Sequence, residues 1–210
     1  MQYKTSKGFE FKRGNSKLPK HTIIYNMGSS EDCPSRTKGL CLVADRCYAR
    51  APELMYPGCK PYRDRQRDYW LGNDADSIIK DLCEFLMTKK TKHKGKLVPL
   101  YKAVRYFRFN ESGDFWSQDC VTKLDKLARA LHRLGIKTYG YTARKDLDFS
   151  KVFFTVKGSG FFSYGLNGST RVIQDKTEKQ GNEFLCPGSC KRCAFCVHDN
   201  GRNVVFVDHA

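Results

Sequence analysis

Apolar and polar positions alternate along this chain with two different periods. Residues 22–27, TIIYNM, form a short apolar run that predicts a first strand, followed by a loop opening at Gly28. In DADSIIKDLCEFLMTKK, residues 74–90, Ile78, Ile79, Leu82, Phe85 and Leu86 recur at helical spacing, with Asp74 or Asp76 placed to cap the helix. The stretch KHKGKLVPL then reads as a basic loop, and KAVRYFRFN as a second strand ending at Asn110. SQDCVTKLDKLARALHRLG puts Val121, Leu124, Leu127, Leu131 and Leu134 in helical register, with Gly135 as the C-cap. Further strands are predicted at IKTYGYTA, KVFFTVKG and NVVFVDH.

Strands separated by helices of this length predict parallel β/α units, because a parallel pair needs a crossover connection. The later connections are too short for full helices. The expected fold is therefore α/β: an incomplete or degenerate β/α barrel with a cysteine-rich metal-binding C-terminal segment. The expected layout is a basic N-terminal arm over residues 1–20 and a partial barrel core over 21–180. The cysteine-rich segment and final strand, over 181–210, pack on the same domain.

In such sheets the chemistry gathers at the carboxyl ends of the strands. The loop after the first strand carries Cys33, Cys41 and Cys47, and the second strand runs into Asn110, Glu111 and Asp114. The last strand ends near His209. These make Asn110, Glu111, Asp114 and His209 the candidate catalytic groups, since paired carboxylates at a strand mouth suit proton transfer. NESGD is also good turn chemistry, and a histidine near a terminus is often only hydrogen-bonded.

Composition changes the picture of the cysteines. Of 210 residues, 40% are apolar and 13% aromatic, as a folded protein requires. No apolar run is long enough to predict a membrane span. The first residues, MQYKTSKGFEFKRGNSK, are basic and polar with no apolar signal core, so a reducing cytoplasm is the expected compartment. There, ten cysteines point to metal or catalysis before disulfides. Cys186, Cys190, Cys193 and Cys196 follow C-x3-C-x2-C-x2-C, close to the thiolate runs of iron–sulfur proteins, although four cysteines also suit tetrahedral zinc. Cys33, Cys41 and Cys47 could hold three irons of a four-iron cluster and leave the fourth open. The expected cofactor is one or two four-iron clusters, with zinc as the alternative. Cys59 lies in a loop near the trio and is a further candidate ligand. Cys83 and Cys120 fall among helical apolar positions and read as core thiols. His198 reads as a solvated neighbour of the last cysteine.

A net charge of +16 predicts association with polyanions, nucleic acid first. The candidate contacts are Lys89, Lys90, Lys92, Lys94 and Lys96 with Arg105, Arg108 and Arg144, acting by phosphate attraction and base stacking. The same lysine run also reads as a solvated helix end and loop. No zinc-finger, helix-turn-helix or RNA-binding signature is present, so sequence-specific reading is not expected.

The ordered set RCYA, FRFNESGDF, GYTAR, GFFSYGLNGS and CPGSCKRCAFC followed by VVFVDHA resembles a bacteriophage family, the gene-product-eighty-eight-like proteins. The similarity runs from about residue 14 to the end of the chain. It implies a phage-encoded protein of the infected cell's cytoplasm with two cysteine groups. A more distant likeness is to radical S-adenosylmethionine enzymes, which also place three cluster cysteines after the first barrel strand. Here the gaps are seven residues between Cys33 and Cys41 and five between Cys41 and Cys47, unlike their C-x3-C-x2-C spacing. Tyrosine follows the last cysteine instead of preceding it, and no GGE segment follows the second strand.

Two function classes follow. One is a redox or radical-type enzyme whose cluster sits at the strand rim. The other is a noncatalytic basic protein, stapled by a structural metal, that binds nucleic acid or a host or phage protein.

Overall fold

The structure is a computed structural model that describes residues 1–198 and 201–208. Two strands at the start, β1 (Gln2–Lys4) and β2 (Glu10–Arg13), pair antiparallel and lead into β3 (Thr22–Met27). The stretch expected as a basic arm is thus a sheet edge, because Phe9 and Phe11 are fully buried beneath its lysines. A long loop containing α1 (Pro34–Thr37) and α2 (Arg50–Met55) follows, then α3 (Cys59–Gly72) and α4 (Ala75–Thr88). Asp74 caps α4 by accepting the Ser77 amide, as the sequence predicts.

The lysine-rich stretch is a hairpin rather than a loop, made of β4 (Lys90–His93) and β5 (Lys96–Pro99). Lys94 and Gly95 both have positive φ, 48° and 78°, which is the two-residue turn that matches strand twist. β6 (Tyr106–Gly113) continues past the predicted end at Asn110, and α5 (Gln118–Arg133) is capped by Ser117. Gly135 closes α5 at φ 77°, its amide bonded to the His132 carbonyl. The chain ends with β7 (Lys137–Thr142), β8 (Thr155–Ser159), β9 (Ser169–Ile173), β10 (Phe184–Leu185) and β11 (Val204–Val207).

Nine strands form one sheet in the order β1-β2-β3-β6-β7-β8-β9-β11-β10. From β3 to β10 every pairing is parallel. The sheet is open: β1 and β10 lie at its edges, so the barrel expected from the β/α pattern does not close. Its helical crossovers stop after α5. Among the described residues, the links beyond β8 contain loops and single 3-10 turns in place of crossover helices.

The two faces differ by strict alternation. Ile23, Tyr25 and Met27 of β3, with Phe107 and Phe109 of β6, pack against α3, α4 and α5 through Trp70, Leu82, Leu124 and their neighbours. This aromatic core is tight, with the Trp70 and Phe109 rings 4.8 Å apart. The opposite face carries Thr22 of β3, Tyr106 and Arg108 of β6, and Tyr139 and Tyr141 of β7. The 3-10 turn Phe195–Val197 packs back onto β7 and β8 from the C-terminal segment. Among the described residues no helix is long and apolar enough to cross a membrane.

Candidate functional site

The register of β3 and β6 shifts between Tyr25 and Met27, so Met27 pairs with Gly113. Asn110 takes φ 56° at this bulge and Gly113 takes 73°, where an added Cβ would meet the Met27 carbonyl. The bulge re-aims Glu111 to Asp114 away from a plain ladder. Asp114 is buried and accepts five hydrogen bonds. Their donors are the Ser35 hydroxyl at 2.5 Å, Asn110 Nδ2 at 3.1 Å, and the Thr142 hydroxyl and the Phe115 and Ala143 amides, each at 2.8 Å. Burial raises its pKa against the pull of these donors. One carboxylate thus clasps the cysteine loop, β6 and the end of β7.

Cys33 stands two residues before Ser35 as the N-cap of α1, its carbonyl accepting from the Arg36 and Thr37 amides. Burial and the nearby Asp114 charge push its pKa up to about 12. Cys41 is raised chiefly by burial, and it shares a field with Cys33 on one side and Cys47 on the other. The three predicted rim cysteines are therefore neighbours at the carboxyl ends of β3 and β6, beside Asn110, Glu111 and Asp114. Tyr48, next to Cys47, turns its hydroxyl inward to donate to the Glu111 carbonyl, while the Glu111 carboxylate accepts from Asn15. His209 lies outside the described residues. Cys59 opens α3, Cys83 packs against the core and Cys120 is wholly buried in it.

The second group lies on the face away from the helices. Cys186, Cys190, Cys193 and Cys196 all line one cavity of about 40 Å³, together with Tyr139, Tyr141 and Phe195. Backbone bonds hold this segment to the sheet: Cys186 N to Val205 O and Cys190 N to Lys17 O. The Phe184 and Phe195 rings stack 3.8 Å apart over it. Burial raises the Cys186, Cys190 and Cys196 thiols, Cys190 to about 11, and neighbouring thiols add to each rise. Arg108 works against this at Cys190 and Cys196, as does the Tyr141 hydroxyl bonded to Cys196. The donor set is all sulfur, the choice of a thiophilic metal. Among the described residues no three Cys, His, Asp or Glu side chains converge closely enough to ligate one ion as they stand. The two cysteine groups are distinct: Cys33 and Cys41 feel Asp114, whereas Cys186 feels Lys17, Cys190 feels Arg108 and Cys196 feels Arg108 and Lys157.

The predicted basic contacts split. Lys89, Lys90, Lys92, Lys94 and Lys96 are exposed on the hairpin, and Arg105 is exposed at the opposite end of β6 from the trio. Arg144 is 1% exposed, forked onto Asp146 at 2.7 and 2.9 Å and donating to the Phe115 carbonyl, so it is spent inside the fold. Arg108 is 8% exposed and stacked over Tyr141, 4.0 Å from the ring centroid, and does not reach the surface hairpin. Tyr139 and Tyr141 were not among the sequence candidates. Their alternation in KTYGYT was the available signal. His198 is exposed, as expected of a solvated neighbour, with its Nδ1 3.2 Å from the Lys137 ammonium.

The family model described as Gene product 88 matches residues 3–157, a stretch that holds the trio, the Asp114 clasp and both tyrosines and ends before the quartet. That match lends nothing to the radical S-adenosylmethionine likeness. No curated protein and no solved structure gives a match. With most of its length matched, the chain belongs to the gene product 88 family of phage proteins.

Proposed function

We propose that this chain is a metal–thiolate protein of the iron–sulfur type, working in the cytoplasm of the infected host. The observation that carries the reading is that Cys186, Cys190, Cys193 and Cys196 all line a single cavity. Burial and the neighbouring thiols make free thiolates unfavourable at Cys186, Cys190 and Cys196, and a bound cation reverses that sign. The sulfurs border the cavity without converging, so metal binding draws the 186–196 segment together, with binding and local folding coupled. The group held there would supply electron transfer if it is a four-iron cluster, or a structural staple if it is zinc.

The trio Cys33, Cys41 and Cys47 is the second, incomplete thiol group, and it gives the reading its enzymatic form. Three thiols leave one position open beside Asn110 and Glu111, where a redox or radical-type reaction would be housed. Asp114 acts there by positioning, since its lone pairs are taken by five donors. S-adenosylmethionine is not part of the proposal, because the gaps of seven and five residues do not match the spacing that brings that cofactor to a cluster.

A second reading is favoured by the exposed lysine hairpin: a noncatalytic protein whose metal is structural and whose basic surface binds nucleic acid without sequence preference. Oxygen-free purification with iron, sulfide and zinc quantitation and a visible spectrum separates the two. Iron and sulfide near four or eight per chain, lost in part in Cys190→Ser and Cys47→Ser, supports the first. Zinc alone supports the second, and a chain free of all three in both variants and wild type removes both.

A further inference from the structure

Arg108 occupies an unusual place for a guanidinium. It projects from β6 on the face away from the helices, in register with Tyr139 of β7, and is 8% exposed. Its carbon Cζ lies 4.0 Å from the Tyr141 ring centroid and 5.4 Å from that of Tyr139. Nη1 has no hydrogen-bond partner, and no carboxylate hydrogen-bonds to the group among the described residues. The same face holds a second buried side-chain atom without a partner, Thr22 Oγ1, which lines the cavity with both tyrosines.

A buried charge without a bonded counter-charge costs several kcal/mol, more than two cation–π contacts of about 1–2 kcal/mol each return. Such a group persists where an anion completes it. The Glu111 carboxylate acts on it through space without bonding it, its own oxygen taken by Asn15, and on the other side of the tyrosines the Cys190 and Cys196 thiols feel the guanidinium charge. Tyr141, on which the guanidinium stacks, bonds Cys196, and both tyrosines line the quartet's cavity. Four thiolates around a metal carry net negative charge whether the metal is a four-iron cluster or zinc.

We propose that Arg108 is the counter-cation of the four-thiol centre, held by Tyr139 and Tyr141 beside the cavity lined by Cys186, Cys190, Cys193 and Cys196. The inference rests on the metal–thiolate reading and adds to it the sign of the charge the site is built to hold. Arg108 is a positioning residue: it supplies no ligand atom, and it stabilises the centre in proportion to that centre's negative charge.

The test compares wild type, R108K and R108M as full-length chains purified without oxygen. Metal retention is read by competition with a chelator, and the melting temperature of each metal-free chain is read separately. The expected result is that R108M gives up its metal about tenfold more readily than wild type, with R108K between them. Metal-free R108M melts no lower than wild type, because an uncompensated buried charge has been replaced by an apolar side chain of similar length. If the metal is a cluster, R108M also has a lower midpoint potential, since a positive neighbour favours the more negative reduced state. R108M holding its metal as wild type does, R108K no better than R108M, or metal-free R108M melting well below wild type would each overturn the proposal. The last outcome would make Arg108 a structural residue. A wild-type chain without metal is a different failure, read before any variant is made, and it removes the metal reading and this inference together.

Discussion

Asp114→Asn tests the clasp most directly. Oδ1 receives the Asn110, Phe115 and Thr142 donors, and Oδ2 receives Ser35 and Ala143. An asparagine amide keeps one oxygen, so the three donors at Oδ1 retain an acceptor but lose its charge, about 1 kcal/mol each. At Oδ2 the new NH2 faces two donors. The Ser35 hydroxyl can rotate to accept, whereas the Ala143 amide cannot, and a buried donor left unpaired costs about 1–3 kcal/mol. Relief from burying a charge returns about 2 kcal/mol, leaving a net loss of about 3 kcal/mol. Urea unfolding followed by far-ultraviolet circular dichroism measures this, with Ser35→Ala as the single-bond control at about 1 kcal/mol. A second readout is local. Removing the Asp114 charge takes away one of the causes that raise the Cys33 pKa, after burial the largest, so Cys33 labels faster with a thiol reagent at neutral pH. A stability loss below about 1 kcal/mol with unchanged Cys33 labelling would refute the clasp.

Three further outcomes are expected. Trp70→Ala, which empties the centre of the aromatic core between Tyr25 and Phe109, lowers unfolding free energy by about 3–5 kcal/mol, and a loss under 1 kcal/mol would misplace the core. Replacing Lys89, Lys90, Lys92, Lys94 and Lys96 by Gln weakens binding to mixed-sequence DNA and flattens its salt dependence by about 0.9 in log–log slope for each phosphate no longer neutralised; an unchanged slope excludes the hairpin as the binding surface. Asp146 is held below the usual carboxylate range, first by its hydrogen bonds from Arg144. Its contribution is therefore present above about pH 4 and fades as pH falls through the lowered value, so Asp146→Asn flattens the acid limb of the stability curve. The effect is about 1 kcal/mol or less, because the carboxylate is 37% exposed, and equal acid limbs in both chains would remove it.

What could be read from sequence depended on how strongly one residue type marks one geometry. TIIYNM becomes β3 with the predicted bounds because an apolar run stopped by Gly28 has few other uses. The helices at 75–88 and 118–133 follow from full apolar stripes. α3 escaped the same test because two of its four buried residues, Arg63 and Gln66, are polar and are paired inside the fold. The hairpin at 90–99 hid behind its lysines, which on an edge pair point to solvent and carry no periodic signal. The quartet was visible by spacing alone. Neither the five donors on Asp114 nor the pairing of Arg108 with Tyr139 was, because both depend on the register between strands far apart in sequence.

The open sheet ends on one side in a three-residue strand and on the other in a two-residue strand. So short a border offers an incoming chain only a few backbone groups to pair with. Unlike a closed barrel, which has no edge at all, this fold avoids polymerising edge to edge by truncation. The practical consequence is colloidal: the chain can be concentrated with its sheet intact, and any aggregation seen in oxygen should trace to cross-linking of its half-buried thiols, reversible by reductant, rather than to fibre growth.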